Sequence, residues 1–329
     1  MNTRRKLVIA VGANAFAPLT LFAQVPGKVW RIGFLVPRHV DFVDSDYIHG
    51  PFLQGMRELG YLQGKNLLIE WRSSEGDANR LPELAVELVR LKVDLIATAG
   101  TQAAFAAQRA TNTIPIVMIS IGDPVGSGLV KSMARPGGNS TGLSNMIADL
   151  SAKLLEKIHE MLPKVSSIGV LVTPANPTIA GLLKAVESAA PHFGIKIHAL
   201  EASTPQEITN GFAAMVRQKT GALIVPQDPF LVQQKNQILE LAAKQKLPTI
   251  AGYREFVEAG GLISYGQNAG ENFRRAATYV DKIFKGAKAG ELPVEQPTAF
   301  ELIVNMKTAK TLGIKVPQTI LIQATKVIE

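Results

Sequence analysis

The sequence predicts an α/β chain of two doubly wound, Rossmann-like lobes joined by a multi-strand hinge. Short, nearly continuous apolar runs alternate with amphipathic stretches, four segments recur in the same order in both halves, and Gly/Pro-rich breaks interrupt the rhythm. The 329 residues, 47% hydrophobic and 19% charged, suit two cores better than one.

The runs 32–36 and 168–172 have the composition of parallel strands buried on both faces. Between such runs, Leu81, Leu84, Leu88 and Leu91, and again Leu154, Leu155, Ile158 and Leu162, recur at helical spacing. Strands joined in sequence by helices give a parallel sheet through right-handed crossovers.

The internal echo has four parts. Ile32-Gly-Phe-Leu-Val-Pro37 resembles Ile168-Gly-Val-Leu-Val-Thr173, and the stretch 64–71 resembles 194–200. Residues 89–96 then match 216–224, and Ile114-Pro-Ile-Val117 matches Leu247-Pro-Thr-Ile250. The separations, by subtraction of the first residue numbers, are 136, 130, 127 and 133, as expected of two related halves.

Residues 124–142, with Gly126, Gly128, Pro136, Gly137 and Gly138, read as the passage between lobes. A second break, from Ala259-Gly260-Gly261 to Ser264-Tyr265-Gly266, precedes a helix carrying Phe273, Ala277, Val280 and Phe284. That helix exceeds what the second half needs and is expected to return to the first lobe, with 293–297 starting a third crossing. Several crossings make a hinge, since each absorbs a small dihedral change. The expected division is residues 1–23 as a signal peptide, 28–145 plus 268–296 as lobe 1, and 146–267 plus 297–329 as lobe 2.

Arg4, Arg5 and Lys6 precede an apolar stretch, 7–23, that is broken by Asn14 and Pro18 and ends in Leu-Phe-Ala. This is the order of a secretory signal, so a periplasmic location is expected. The run is short and interrupted for a membrane anchor. The Thr-Arg-Arg start also resembles a twin-arginine signal. Removing 1–23 takes away those three positive charges and no acid, so the formal charge falls from +8 to +5. The remaining lysines, such as Lys153, Lys157, Lys282 and Lys285, read as solvated helix faces, and no nucleic-acid partner is expected.

Cysteine is absent, which excludes disulfides, thiolate nucleophiles, Cys-based metal sites and a lipid-anchoring cysteine. The five histidines lack metal-ligand spacing, so no metal is expected. Residues 122–128 are glycine-rich but lack the parts of a phosphate loop or dinucleotide fingerprint, and no cofactor is expected. Gly138-Asn-Ser140-Thr-Gly142 matches a nucleophile elbow in letters, but Arg135-Pro-Gly-Gly stands where the strand should be. An α/β hydrolase using Ser140 is therefore a lesser alternative, and no catalytic residue is assigned.

Taken together, Gly122-Asp-Pro-Val125, Ala134-Arg-Pro-Gly-Gly-Asn-Ser-Thr-Gly142, Arg254-Glu-Phe-Val-Glu-Ala-Gly-Gly261 with Ser264-Tyr-Gly266, Leu292-Pro-Val-Glu-Gln-Pro297, Phe300-Glu-Leu302 and residues 305–313 resemble the TrpX-type substrate-binding family of ABC transporters. The likeness runs from about Trp30 to Glu329. It implies a periplasmic-binding-protein type I fold, a ligand between the lobes, and an ABC permease and ATPase as partners. It also implies an aromatic or other apolar amino acid as one ligand class. The chain is expected to be a monomer and not an enzyme. An exported sensing module that hands its ligand signal to a membrane receptor is the other reading.

In open α/β sheets ligands bind beyond the carboxyl ends of the strands. This selects the loops holding Arg38 and His39, Ser73 to Glu75, Gly100 to Gln102, and Gly122 with Asp123. In the second half it selects Thr173 with Asn176, Gln227 with Asp228, Tyr253 to Glu255, and 265–268. The candidate ligand-binding residues are Arg38, Ser74, Gly100, Thr101, Gln102, Asp123, Asn176, Asp228, Tyr253, Arg254 and Tyr265. Gly100-Thr101-Gln102 opens a helix whose free N–H groups favour a carboxylate, or forms an ordinary N-cap. Asp228 stands before Pro229 and either pairs with a ligand ammonium or caps the following helix, and Asp123 before Pro124 has the same two readings. Arg254 either holds a ligand carboxylate or locks a neighbouring acid, and Tyr265 reads as a hinge or cleft-wall residue.

Overall fold

The computed structural model describes residues 28–38 and 48–329, apart from the side chain of Ala148. The signal-like segment and His39 lie outside the described residues.

The first half alternates β1 (Trp30–Val36), α1 (His49–Glu58), β2 (Leu67–Ser73), α2 (Leu81–Arg90), β3 (Leu95–Ala99), α3 (Thr101–Ala110), β4 (Ile116–Ile121) and β5 (Ser140–Ser144). These strands form a parallel sheet in the order β2-β1-β3-β4-β5. Its helices bury one apolar stripe each; α2 buries Leu81, Leu84, Ala85 and Leu88.

The second half follows with α4 (Ile147–Met161), β6 (Ser167–Val172), α5 (Ile179–Ala189), β7 (Lys196–Glu201), α6 (Pro205–Arg217), β8 (Ala222–Val225), α7 (Pro229–Gln233), α8 (Lys235–Lys244), β9 (Thr249–Ala251), α9 (Arg254–Glu258) and β10 (Ile263–Gln267). After α10 (Ala269–Phe284), the chain adds β11 (Phe300–Asn305), α11 (Met306–Leu312), α12 (Gln318–Gln323) and β12 (Lys326–Ile328). The second sheet runs β12-β11-β10-β9-β8-β6-β7, with β11 antiparallel to β10 and the other pairs parallel. The order β2-β1-β3-β4 is thus repeated by β7-β6-β8-β9, and the four echoed segments fall on these equivalent strands.

The Gly/Pro-rich stretch before β5 is not the passage between lobes. Leu129 and Val130 are buried in the first lobe's core, and Val294 closes over them. Gly142 lies inside β5, where a Cβ would run into the backbone of Met118. Its glycine serves close strand packing, which local sequence does not distinguish from a hinge. The strand β5 of the first sheet ends at Ser144, and α4, from Ile147, packs in the core of the second. Residues 264–266 likewise belong to β10, and the second crossing is at Asn268, whose side chain accepts from Glu271 N–H and caps α10.

Helix α10 lies on the first lobe. Phe273, Ala276, Ala277 and Val280 join Phe34, Phe52 and Met56 in one core. It approaches α1 so closely that a Cβ on Gly55 would stand 2.5 Å from the Arg274 carbonyl oxygen. Glu295 then pairs with β5 before the chain returns to the second sheet as β11.

Candidate ligand-binding site

In the order β2-β1-β3-β4-β5 the connections reverse direction between β1 and β3, and such a switch point leaves a crevice at the strands' carboxyl ends. The second sheet has the same reversal between β6 and β8. The two crevices face one another across a narrow space whose walls come from both halves of the chain. Val36, Pro37 and Arg38 line it from the end of β1, and Ala99, Gly100 and Thr101 from the end of β3. Asn176 and Thr178, Gln227 and Pro229, and Tyr253 line it from the second lobe. Ile48, Ile147 and Phe273 make an apolar portion, with Ala269, Ser120 and Asn145 completing the wall.

The two facing helix ends differ. Helix α3 starts from Gly100, whose φ of +82° puts it in the left-handed region, and no side chain caps its first turn. Thr101 Oγ1 accepts from Gly122 N–H at 3.1 Å, so its own O–H remains a donor. Across the cleft, Asp228 accepts from Phe230 N–H and Leu231 N–H at 2.9 and 3.1 Å and caps α7. The other carboxylate oxygen of Asp228 accepts from Asn176 Nδ2 at 2.9 Å. Burial pushes the Asp228 carboxyl above its ordinary value, against the pull of these donors. An anion is therefore favoured on the first-lobe side, where the helix end is uncapped.

Arg38 and Glu255 form a buried pair at 3.3 Å across the cleft, and the guanidinium lies 4.8 Å from the Tyr253 ring centre. Burial works against the Arg38 charge, but Tyr253 and Glu255 outweigh it and hold the guanidinium above its ordinary value. Burial lowers Lys235; Glu255 opposes that shift and Arg38 adds to it.

Other contacts also join the lobes. Gln102 Nε2 donates to Ala175 O at 2.9 Å, and Gln233 Nε2 to Glu75 O at 3.5 Å. Gly122 lies so close to the second lobe that a Cβ there would stand 2.6 Å from Thr178 Cγ2 and 2.9 Å from Ile147 Cγ2. The cleft is closed. Ser120, at an irregularity in β4 with φ +58°, accepts from Gln267 Nε2 at 3.1 Å, while Asn145 Nδ2 donates to its carbonyl at 3.3 Å. A left-handed serine at a cavity wall is sterically costly, and here it ties the wall to two crossings.

Of the candidate residues, Arg38, Gly100, Thr101, Asn176 and Tyr253 meet at this space, with Asp228 directly behind them. Gln102 stands at the rim as a bridge between lobes. Ser74 is fully buried behind the wall, donating to Pro37 O. Asp123 turns away to accept from Gly126 N–H at 2.8 Å. Arg254 is engaged by Glu258 at 2.9 Å and Glu301 at 3.4 Å, outside the cavity. Tyr265 packs against Phe300 and the second lobe's core.

Sequence reading missed Ser120 and Phe273, and selected Gln227 only as a member of its loop. A serine inside the apolar run Ile-Val-Met-Ile-Ser-Ile is the signal that Ser120 carried. Phe273 was readable only as core, since one helix face serves both core and cavity. Ser140 begins β5, and its hydroxyl accepts from Gln108 Nε2 at 2.8 Å; a strand is no nucleophile elbow. Among the described residues no group of three or more His, Asp or Glu side chains could hold a metal.

Proteins of known structure and function resemble this chain over most of its length. The tyrosine-binding protein of Clostridioides difficile strain R20291 is 29% identical over 264 residues, 80% of this chain and 76% of that protein. The crystal structure of an ABC domain in complex with L-Trp from Streptococcus pneumonia superimposes with a TM-score of 0.84 at 27% identity, covering 91% of this chain and 99% of that one. The ligand-free, open structure of a substrate-binding protein with adhesive properties from Clostridium difficile covers the same shares at 27% identity, with a TM-score of 0.66. The better match to the ligand-bound neighbour accords with the closed cleft. The fold is that of the type I periplasmic binding proteins, and the chain is a binding protein rather than an enzyme. Residues 39–328 match the family described as ABC transporter substrate binding protein, and the chain belongs to that family.

Proposed function

We propose that this protein captures an aromatic α-amino acid between its lobes and delivers it to the permease and ATPase of an ABC importer. The observation that carries the reading is the pair of facing switch points, one with an uncapped helix end suited to a carboxylate, beside an apolar wall of Ile48, Ile147 and Phe273. The ligands named for the relatives, L-Trp and tyrosine, support the same class. Residues 28–145 with 268–296 and 146–267 with 297–329 move as the two bodies, and the ligand stabilises the closed arrangement by touching both. Arg38, Gly100, Thr101, Asn176 and Tyr253 contact it, and Asp228 positions Asn176.

The N-terminal segment directs export to the periplasm, where the mature protein works as a monomer. No helix among the described residues is long and apolar enough to cross a membrane. Isothermal titration of residues 24–329 against the twenty amino acids tests the reading. Heat is expected with L-tryptophan or L-tyrosine, and its absence with every amino acid would remove the proposal.

A further inference from the structure

Gln227 is 4% exposed and lines the cavity. Its Nε2 donates to Gly252 O at 2.8 Å, which fixes the orientation of the amide, since the reverse would set two acceptors together. The other end, Oε1, is buried without a hydrogen-bond partner in the protein. A buried carbonyl oxygen left unpaired costs about 1–3 kcal/mol, so it needs an explanation.

The side chain is held in a prepared slot. A Cβ on Gly252 would stand 2.5 Å from Gln227 Cγ, and one on Gly266 would stand 2.8 Å from Gln227 Nε2 and strike Gly252 O. Two glycines thus make room for this amide, and the amide cannot swing away without losing its Gly252 bond. It sits in the loop that faces the uncapped end of α3, for Pro229 Cγ is 3.8 Å from the place of a Cβ on Gly100. In an α-amino acid the carboxylate and the ammonium share one carbon, so a carboxylate held at that helix end keeps the ammonium beside it in the same narrow space. Asp228, the acid of that loop, is occupied by two backbone N–H groups and Asn176.

We infer that Gln227 Oε1 accepts a hydrogen bond from the α-ammonium group of the ligand and makes the site selective for amino acids over their des-amino analogues. The inference rests on the amino-acid reading given above. The two are tested separately by titrating L-tryptophan and indole-3-propionate into wild type and Gln227→Met. Gln227→Met is expected to weaken L-tryptophan about 10- to 100-fold and to leave the weak binding of indole-3-propionate within a few-fold. Equal weakening of both compounds, or of neither, overturns the inference while leaving amino-acid binding intact. If wild type binds no amino acid, the ligand reading fails and the inference with it. Should Gln227→Met not fold, the wild type alone still decides, since a preference for L-tryptophan over indole-3-propionate of less than about tenfold overturns the inference.

Discussion

The Arg38 guanidinium and the Glu255 carboxylate, on opposite lobes, meet at 3.3 Å with both side chains almost wholly buried. Removing one partner of a buried pair strands the other, at about 3–5 kcal/mol in the arrangement that buries it. Only the closed arrangement brings these two together. Glu255→Gln is therefore expected to move the ligand-free population toward an open form, seen as a larger radius of gyration in solution scattering. Affinity falls in proportion to the closed fraction. A radius equal to that of wild type would refute the latch.

Gly122 offers a cleaner wedge. The side chain of Gly122→Val would enter the space held by Thr178 and Ile147, which belong to the other lobe. Each lobe can fold without that contact. Thermal unfolding without ligand is expected to stay within a few degrees of wild type, while the ligand-induced rise in Tm is lost. A normal ligand response in this variant would show that the lobes close differently.

Thr101→Val and Asp228→Ala separate direct contact from support. Thr101→Val removes a hydroxyl at the cavity wall and with it the acceptor of Gly122 N–H, and is expected to weaken ligand binding about tenfold and to lower Tm by about the effect of one buried hydrogen bond, read by titration calorimetry and thermal unfolding. Asp228→Ala removes a helix cap and the anchor of Asn176, with a stability loss of about 1–2 kcal/mol and a lower Tm. Unchanged affinity in both would remove the cleft assignment.

The first lobe carries an alkaline signature. Burial, and then the Asp281 carboxylate that accepts the Tyr61 hydroxyl at 3.0 Å, push that phenol up to about 12. A raised acid favours the folded state while protonated. Its contribution is fully present below the unfolded phenol's value near ~10 and is lost as pH rises from there through the folded value. Stability is expected to fall over that window in wild type and to fall less in Tyr61→Phe, as followed by urea unfolding at stepped pH. Parallel curves would contradict this.

Much of the fold could be read from sequence because periodicity and repetition are properties of the chain itself. The echo of 32–37 in 168–173 placed β1 and β6 in equivalent roles, and with them the crevices beside β3 and β8. The crossings were harder. Gly142 and Gly266 look like hinge glycines, yet each exists for close backbone approach within a sheet, a reason visible only once the neighbouring strand is in place. The site divided along the same line. Loop positions such as Arg38, Thr101 and Tyr253 follow from topology, whereas the turn of Asp123 toward its own loop, the capture of Arg254 by Glu258 and Glu301, and the slot that aims Gln227 depend on tertiary partners.

Glu295 is tied to β5 on both sides, accepting from Ser144 N–H at 2.8 Å and donating to Gly142 O at 3.0 Å, while Arg275 grips its carboxylate at 2.9 Å. The last strap between the lobes is thus clamped up to that residue, and β11 begins at Phe300. Only residues 296–299 are left to flex, and a chain advances at most about 3.5 Å per residue. With the links at 145–146 and at 268 shorter still, any relative movement of the lobes is confined to a few backbone dihedrals at these three places.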